Sequence, residues 1–255
     1  MTSEFLYYRN GRIAHMRFNR PEKLNAYTAE MYEAMIEAFN DFQRDDKLRV
    51  AILSAEGGKA FCTGADLKTT VGPMTKRGGH FTDRTKRFFS DIYKPIIAVV
   101  DGYCLAGGME ILQGTDLRIA SPHSTFGLPE VRWGLTPGGG SHVRLPRQIP
   151  WAIAMEILLL GRPITAQRAY EIGLINRVVP SDQLLDTAEA MANTLLENGP
   201  AAVQAVKEGV IRSLSLETPF AIENLIAEQN LRHADVQEGL AAFAERRPAR
   251  WRDDA

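Results

Sequence analysis

The chain has 255 residues, 45% hydrophobic and 24% charged, which are ordinary proportions for a globular protein in water. Thirty Lys and Arg against 31 Asp and Glu leave a net charge of −1, so the chain as a whole offers no field to hold a nucleic acid backbone. The two cysteines, Cys62 and Cys104, form no disulfide framework, and their apolar surroundings predict buried, reduced thiols. The first residues, MTSEFLYYRNGR, lack the charged start and apolar run of a signal peptide. The longest apolar stretches, 95–100 and 152–160, are too short to cross a bilayer, so a cytoplasmic location is expected.

In chain order, residues 4–8 and 12–18 are β-type runs around Asn10-Gly11, the pattern of a hairpin. Residues 28–44 carry Met31, Met35, Ile36, Ala38, Phe39 and Phe42 at helical spacing, with Thr28 placed as N-cap. RVAILS (49–54) predicts a buried strand, and AEGGKAFCTGAD a glycine-rich turn after it. Residues 69–82, with Gly72, Pro73, Gly78 and Gly79, predict a mobile loop. Residues 83–93 predict a helix, with Lys86, Arg87 and Lys94 as a solvated face. PIIAVV (95–100) predicts a strand, LAGGMEILQG a helix starting near Gly107, and DLRIA (116–120) a further strand. GGG at 138–140 has no Gly-Lys-Ser/Thr after it, so it predicts a tight turn before a helix and not a phosphate loop. Beyond residue 150, helices are expected at 151–160, 165–172, 182–198, 200–213, 217–231 and 235–246, with a short strand at 175–179. The alternation of strands and helices argues for an α/β core, here residues 1–195, with a helical C-terminal region over 196–255.

Two glycine-rich turns, Gly64-Ala65-Asp66 and Ala106-Gly107-Gly108, follow buried strands. Glycine allows close backbone approach and a helix start presents free N–H groups, so two such turns could converge as an oxyanion hole. On spacing alone, purely structural turns are the favoured reading, because glycine-rich turns after strands are common. Glu110 lies three residues past Gly107 in an apolar segment, and Glu130 lies in FGLPEVRWGLTPGGG. A carboxyl among apolar neighbours has a raised pKa, which suits proton transfer near neutral pH. His15, His80, His123, His142 and His233 show no metal-ligand spacing, so no metal site is expected.

NRPEKLNA (19–26), AFCTGADLK (60–68), DGYCLAGGMEI (101–111), DLRIAS (116–121), FGLPEVRWGLTPGGG (126–140), RPITAQRAYEIGLINRVV (162–179) and EGLAAFAERR (238–247) resemble, in this order, the enoyl-CoA hydratase/isomerase (crotonase) family. The resemblance implies a spiral of repeated ββα units with a C-terminal helical trimerisation region. Trimers that pair into hexamers are the implied assembly. It implies that the Ala65 and Gly107 N–H groups bind a thioester oxygen, that Glu110 is the water-holding base and that Glu130 is the proton donor to C2. It places Glu22, Lys23 and Leu24 along coenzyme A, Asp66 and Leu67 beside its adenine and pantetheine arm, and Phe243 and Arg246 where they reach CoA of a neighbouring subunit. Trp133 and the 69–82 loop line the acyl region. Coenzyme A enters as part of the substrate, and no other cofactor is implied.

The sequence departs from the family pattern at Ala106, where glycine is common and where alanine should be tolerated if its φ is negative. Met109, Gln113 and Thr115 also depart, the last two suggesting a more polar pocket floor. The implied activity is enoyl-CoA hydration. Carnitinyl-CoA dehydratase-like, Δ3–Δ2 isomerase and thioester hydrolase activities share the fold and stay open. An RNA-binding role through the basic residues 246–252 and a catalytically dead scaffold are the readings from other classes.

Overall fold

The computed structural model describes residues 3–71 and 84–251. Among the described residues, ten strands divide between two sheets. The six-stranded sheet contains β1 (Phe5–Asn10), β2 (Ile13–Phe18), β3 (Val50–Ala55), β5 (Ile96–Val100), β7 (Leu117–Ala120) and β10 (Arg177–Val178), in that spatial order. The four-stranded sheet contains β4 (Ala60–Cys62), β6 (Tyr103–Leu105), β8 (Thr125–Gly127) and β9 (Ile164–Thr165). Each turn of the chain thus lays one strand in the first sheet and the next in the second: β3 then β4, β5 then β6, β7 then β8. The pairings β3–β5, β5–β7, β4–β6 and β6–β8 are all parallel. This is the expected spiral of ββα units, and the fold class is α/β.

The first sheet is covered on both faces, which is why its central strands read as unbroken apolar runs. Alternation still sorts the side chains. Val50, Ile52, Ile97, Val99 and Ile119 pack against Leu184, Ala188 and Ala192 of a helix at Leu184–Glu197. Ala51, Leu53, Ile96, Ala98, Val100 and Ala120 face the main core. Each large side chain fully buried there stabilises the fold by roughly 1.5–3 kcal/mol before chain entropy is counted.

Helix α1 (Ala29–Arg44) buries Met31, Ala34, Met35, Ala38, Phe39 and Phe42, and Thr28 Oγ1 accepts the Met31 N–H at 3.2 Å, so the expected cap is present. Helix α2 (Gly107–Gln113) follows β6, and α3 (Ser141–Gln148) follows the glycine turn at 138–140. Then come α4 (Trp151–Leu160), α5 (Ala166–Glu171), α6 (Leu184–Glu197), α7 (Pro200–Ser213), α8 (Glu217–Leu231) and α9 (Ala234–Glu245). No helix among the described residues is long and apolar enough to cross a membrane.

Three expectations need correction. Residues 84–93 form turns, not a helix. Phe89 has φ +60°, which a right-handed helix does not admit, and the Phe88 carbonyl accepts the Arg144 guanidinium at 2.7 Å. Arg87 and Lys94 are not solvated. Arg87 is buried against Glu223, and Lys94 Nζ donates to the Phe42 and Asp45 carbonyls at 2.9 and 2.7 Å. The glycine turns do not follow the first-sheet strands directly either, because the short strands β4 and β6 intervene. Of the 69–82 loop, residues 72–82 lie outside the described residues, as does His80.

Candidate active site

The spiral brings the two glycine turns side by side. Gly64 has φ +98°, and a Cβ there would stand 2.8 Å from the Ala106 Cβ and 3.0 Å from the Gly107 nitrogen. Only glycine permits this approach. A single parallel bridge joins Ala65 to Tyr27, formed by Tyr27 N–H to the Gly64 carbonyl and Asp66 N–H to the Tyr27 carbonyl, both at 2.9 Å. That pattern uses Gly64 and Asp66 and leaves the Ala65 N–H unbonded among the described residues. The Gly107 N–H, in the first turn of α2, is likewise free. Two adjacent free donors are the minimum equipment for holding an oxyanion.

Ala106 leads into α2 with φ +51° and ψ −128°, so the condition for an unstrained alanine, a negative φ, is not met. Its N–H donates to the Gly127 carbonyl at 2.9 Å, fixing the turn between β6 and β8. A side chain in this left-handed region carries strain on the order of 1–3 kcal/mol, stored at the entrance to the helix that presents Gly107.

Glu110, one turn into α2, is 6% exposed, and its Oε1 accepts the Gly139 N–H at 2.6 Å. Burial raises its pKa to about 7, helped by the nearby charge of Glu223 and opposed by the Gly139 N–H, His142 and Arg87. Glu223 itself is buried on α8, where it accepts from Arg87 Nε at 3.2 Å and from the His142 backbone N–H at 3.0 Å.

Glu130 lies in the 3-10 helix Pro129–Trp133. It is half-buried as a residue, yet its Oε2 is shut away from solvent with no hydrogen-bond partner. Burial first, and then the charge of Glu110, hold its pKa well above the usual carboxylate range. The two acids therefore face one environment. The charge of an ionised Glu110 opposes ionisation of Glu130.

The C-terminal helix clamps the segment that carries Glu130. A Cβ on Gly239 of α9 would stand 1.9 Å from the Trp133 carbonyl oxygen, and the Trp133 and Phe243 rings meet edge-on at 4.9 Å. Phe243 thus packs on Trp133 of its own chain. Arg246 ends α9 with φ +55°, exposed and without a side-chain partner among the described residues. Of the basic residues near the terminus, Arg247 is held by Glu238 and Glu245.

The loop with Glu22, Lys23 and Leu24 lies exposed beside the Gly64-Ala65-Asp66 turn. Asn25 anchors it through bonds to the Ala60 and Glu56 carbonyls, and Thr63 Oγ1 donates to the Leu24 carbonyl at 3.2 Å. Arg20 bridges to Asp66 at 2.8 Å, so Glu22–Leu24, Ala65, Asp66 and Leu67 form one continuous rim. Phe243 and Arg246 make no hydrogen bond or ring contact with that rim.

Sequence reasoning missed Gly139, Tyr27 and the Arg87–Glu223–His142 cluster. Gly139 was legible only as part of a glycine turn, and Tyr27 sits next to a family motif without belonging to it. Nothing in the sequence pairs residue 87 with residue 223. Both cysteines are buried, with the Cys62 thiol pushed up to about 12 by burial. Among the described residues, no cluster of three or more His, Cys, Asp or Glu could hold a metal ion.

A two-sheet spiral of ββα units with helices at its C-terminal end is the architecture of the crotonase class of enzymes. Residues 8–254 match the enoyl-CoA hydratase/isomerase family model, and the chain belongs to that family. It is 40% identical to enoyl-CoA hydratase EchA19 of Mycobacterium tuberculosis, over 94% of this chain and 92% of the relative. It is 39% identical to the carnitinyl-CoA dehydratase of Salmonella arizonae, over 96% of both. Among solved structures, the carnitinyl-CoA hydratase of Mycobacterium avium superposes with a TM-score of 0.88 at 33% identity, covering 99% of this chain and 100% of that one.

Proposed function

We propose that the protein is an enoyl-CoA hydratase that adds water syn across the C2–C3 double bond of a 2-enoyl-CoA thioester. The observation that carries this reading is the coupled pair Glu110 and Glu130, both with raised pKa, beside two free backbone N–H groups. The thioester oxygen lies between the Ala65 and Gly107 N–H groups, which stabilise the enolate charge by roughly 3–4 kcal/mol per donor. With that charge held, C3 becomes electrophilic.

Glu110, oriented by Gly139, titrates first and serves as the base that holds and deprotonates the attacking water. Glu130, the more reluctant to ionise, delivers the proton to C2. Each contributes on the order of 10²–10⁴-fold. Neither a metal nor a redox cofactor takes part. Coenzyme A lies along Glu22–Leu24, Asp66 and Leu67. Phe243 and Arg246 approach CoA across a trimer contact made by the C-terminal helices. Exposed Val206, Val210, Ile222, Leu225 and Ile226 on α7 and α8 support such a contact.

A second reading is favoured by the relatives: the carnitinyl-CoA dehydratase of Salmonella arizonae is nearly as similar as the hydratase. The two reactions use the same chemistry on different acyl groups. Purified protein assayed with crotonyl-CoA, crotonobetainyl-CoA and a 3-enoyl-CoA separates the possibilities. Hydration of crotonyl-CoA, followed as loss of enoyl absorbance, supports the main reading. Turnover of crotonobetainyl-CoA alone moves the assignment to the dehydratase. Double-bond migration without hydration moves it to the isomerase.

A further inference from the structure

Tyr27 joins the two oxyanion turns. Its backbone is bridged to Ala65, and Thr70 Oγ1 also donates to its carbonyl at 3.3 Å. Its side chain spans to the other turn. The hydroxyl oxygen stands 2.6 Å from where a Cβ on Gly107 would be, and two ring carbons lie at 3.0 and 3.2 Å from that point. The phenol therefore occupies the space a side chain at residue 107 would take, against the residue whose N–H is free.

Tyr27 is 5% exposed, and its hydroxyl makes no hydrogen bond with any described residue. The hydroxyl oxygen is not itself sealed from solvent, so it stays open to a partner from outside the chain. Its place against Gly107 lets a ligand bound in front of that residue supply the acceptor. The charges of Glu110 and Glu130 reach the phenol through space, and its place against Gly107 sets it one helical turn from Glu110. Burial and those charges keep it protonated well beyond neutral pH, hence a donor.

We propose that the Tyr27 hydroxyl is a third donor to the thioester oxygen, completing an oxyanion hole otherwise made of the Ala65 and Gly107 N–H groups. This rests on the thioester reading of the site but not on water addition. A phenol suits the role because it adds a strong, preorganised donor where enolate charge grows.

The test is Tyr27→Phe, which keeps the ring on Gly107 and deletes only the donor. Thermal melting and butyryl-CoA affinity check that the fold and the CoA site survive. With crotonyl-CoA, kcat should fall on the order of 10–100-fold while KM changes by less than about threefold. Bound acetoacetyl-CoA, whose enolate absorbs distinctly, should enolise about one to two pH units higher in the variant. The enolate titration needs no hydration, so it decides Tyr27's role even if the hydratase reading fails. Unchanged kcat and unchanged enolisation would overturn the proposal. So would a defect confined to thioesters with polar acyl groups, which would assign the hydroxyl to the acyl chain, or failure of the unmodified protein to stabilise the enolate.

Discussion

Gly139 and Glu110 are fitted to each other. The Gly139 N–H donates to Oε1 at 2.6 Å, and a Cβ on Gly139 would stand 2.5 Å from Oε2. No side chain can be added there without turning the carboxyl away. Gly139→Ala should lower kcat for crotonyl-CoA by about ten- to a hundredfold, since small displacements of a catalytic group are costly. The affinity for saturated acyl-CoA should stay within about threefold, because the CoA rim is elsewhere. Steady-state kinetics with binding measured in parallel checks both.

Ala106 holds its place before Gly107 with a strained backbone, φ +51° and ψ −128°. Ala106→Gly should relieve that strain. After the extra entropy of glycine in the unfolded chain is subtracted, stability should rise by roughly 1 kcal/mol. Urea denaturation of the two proteins measures it, and a loss of stability would mean that the Ala106 methyl packs well enough to outweigh the strain.

The raised Glu110 makes stability depend on pH with a definite sign. In the folded protein its pKa is about 7, against a reference of 4.5. Between these values the folded state keeps a proton that the unfolded chain has lost. The contribution is present below the unfolded pKa and disappears as pH rises through 7. Glu110→Gln should therefore be more stable than the parent at pH 8, by roughly 1–3 kcal/mol, with the gap closing below about pH 4.5. Denaturation at the two pH values tests the direction.

Activity should follow the same pair. With Glu110 acting ionised and Glu130 protonated, kcat/KM should climb as pH passes about 7 and decline at higher pH as Glu130 loses its proton. In Glu130→Gln the alkaline limb should vanish from whatever activity is left.

The C-terminal helix positions Glu130 from behind. Since a Cβ on Gly239 would lie 1.9 Å from the Trp133 carbonyl oxygen, Gly239→Val should push α9 off the Pro129–Trp133 segment. Hydration should drop by at least about tenfold while circular dichroism reports a retained α/β core. Normal activity in this variant would show that α9 does not hold the Glu130 segment.

Much of this architecture was legible in the chain. The helix at Ala29–Arg44 announced itself through periodicity and its Thr28 cap, and α4, α7 and α8 begin and end where the pattern changes. Glu110 stood out as an acid in an apolar segment. The short strands of the second sheet did not stand out, because three residues such as Ala60–Cys62 are too few to show a period. Residues 84–93 misled for the opposite reason. Their apolar spacing is helical, but Arg87 and the Phe88 carbonyl are claimed by Glu223 and Arg144 from distant parts of the chain. Gly139 and Tyr27 gain their meaning only when the spiral places them against Glu110 and Gly107.

The most direct test is the hydration of crotonyl-CoA by Glu110→Gln and Glu130→Gln, with acyl-CoA affinity measured alongside. The acid–base pair predicts that each substitution lowers kcat by at least about a hundredfold while binding persists. Full turnover in either variant would contradict it.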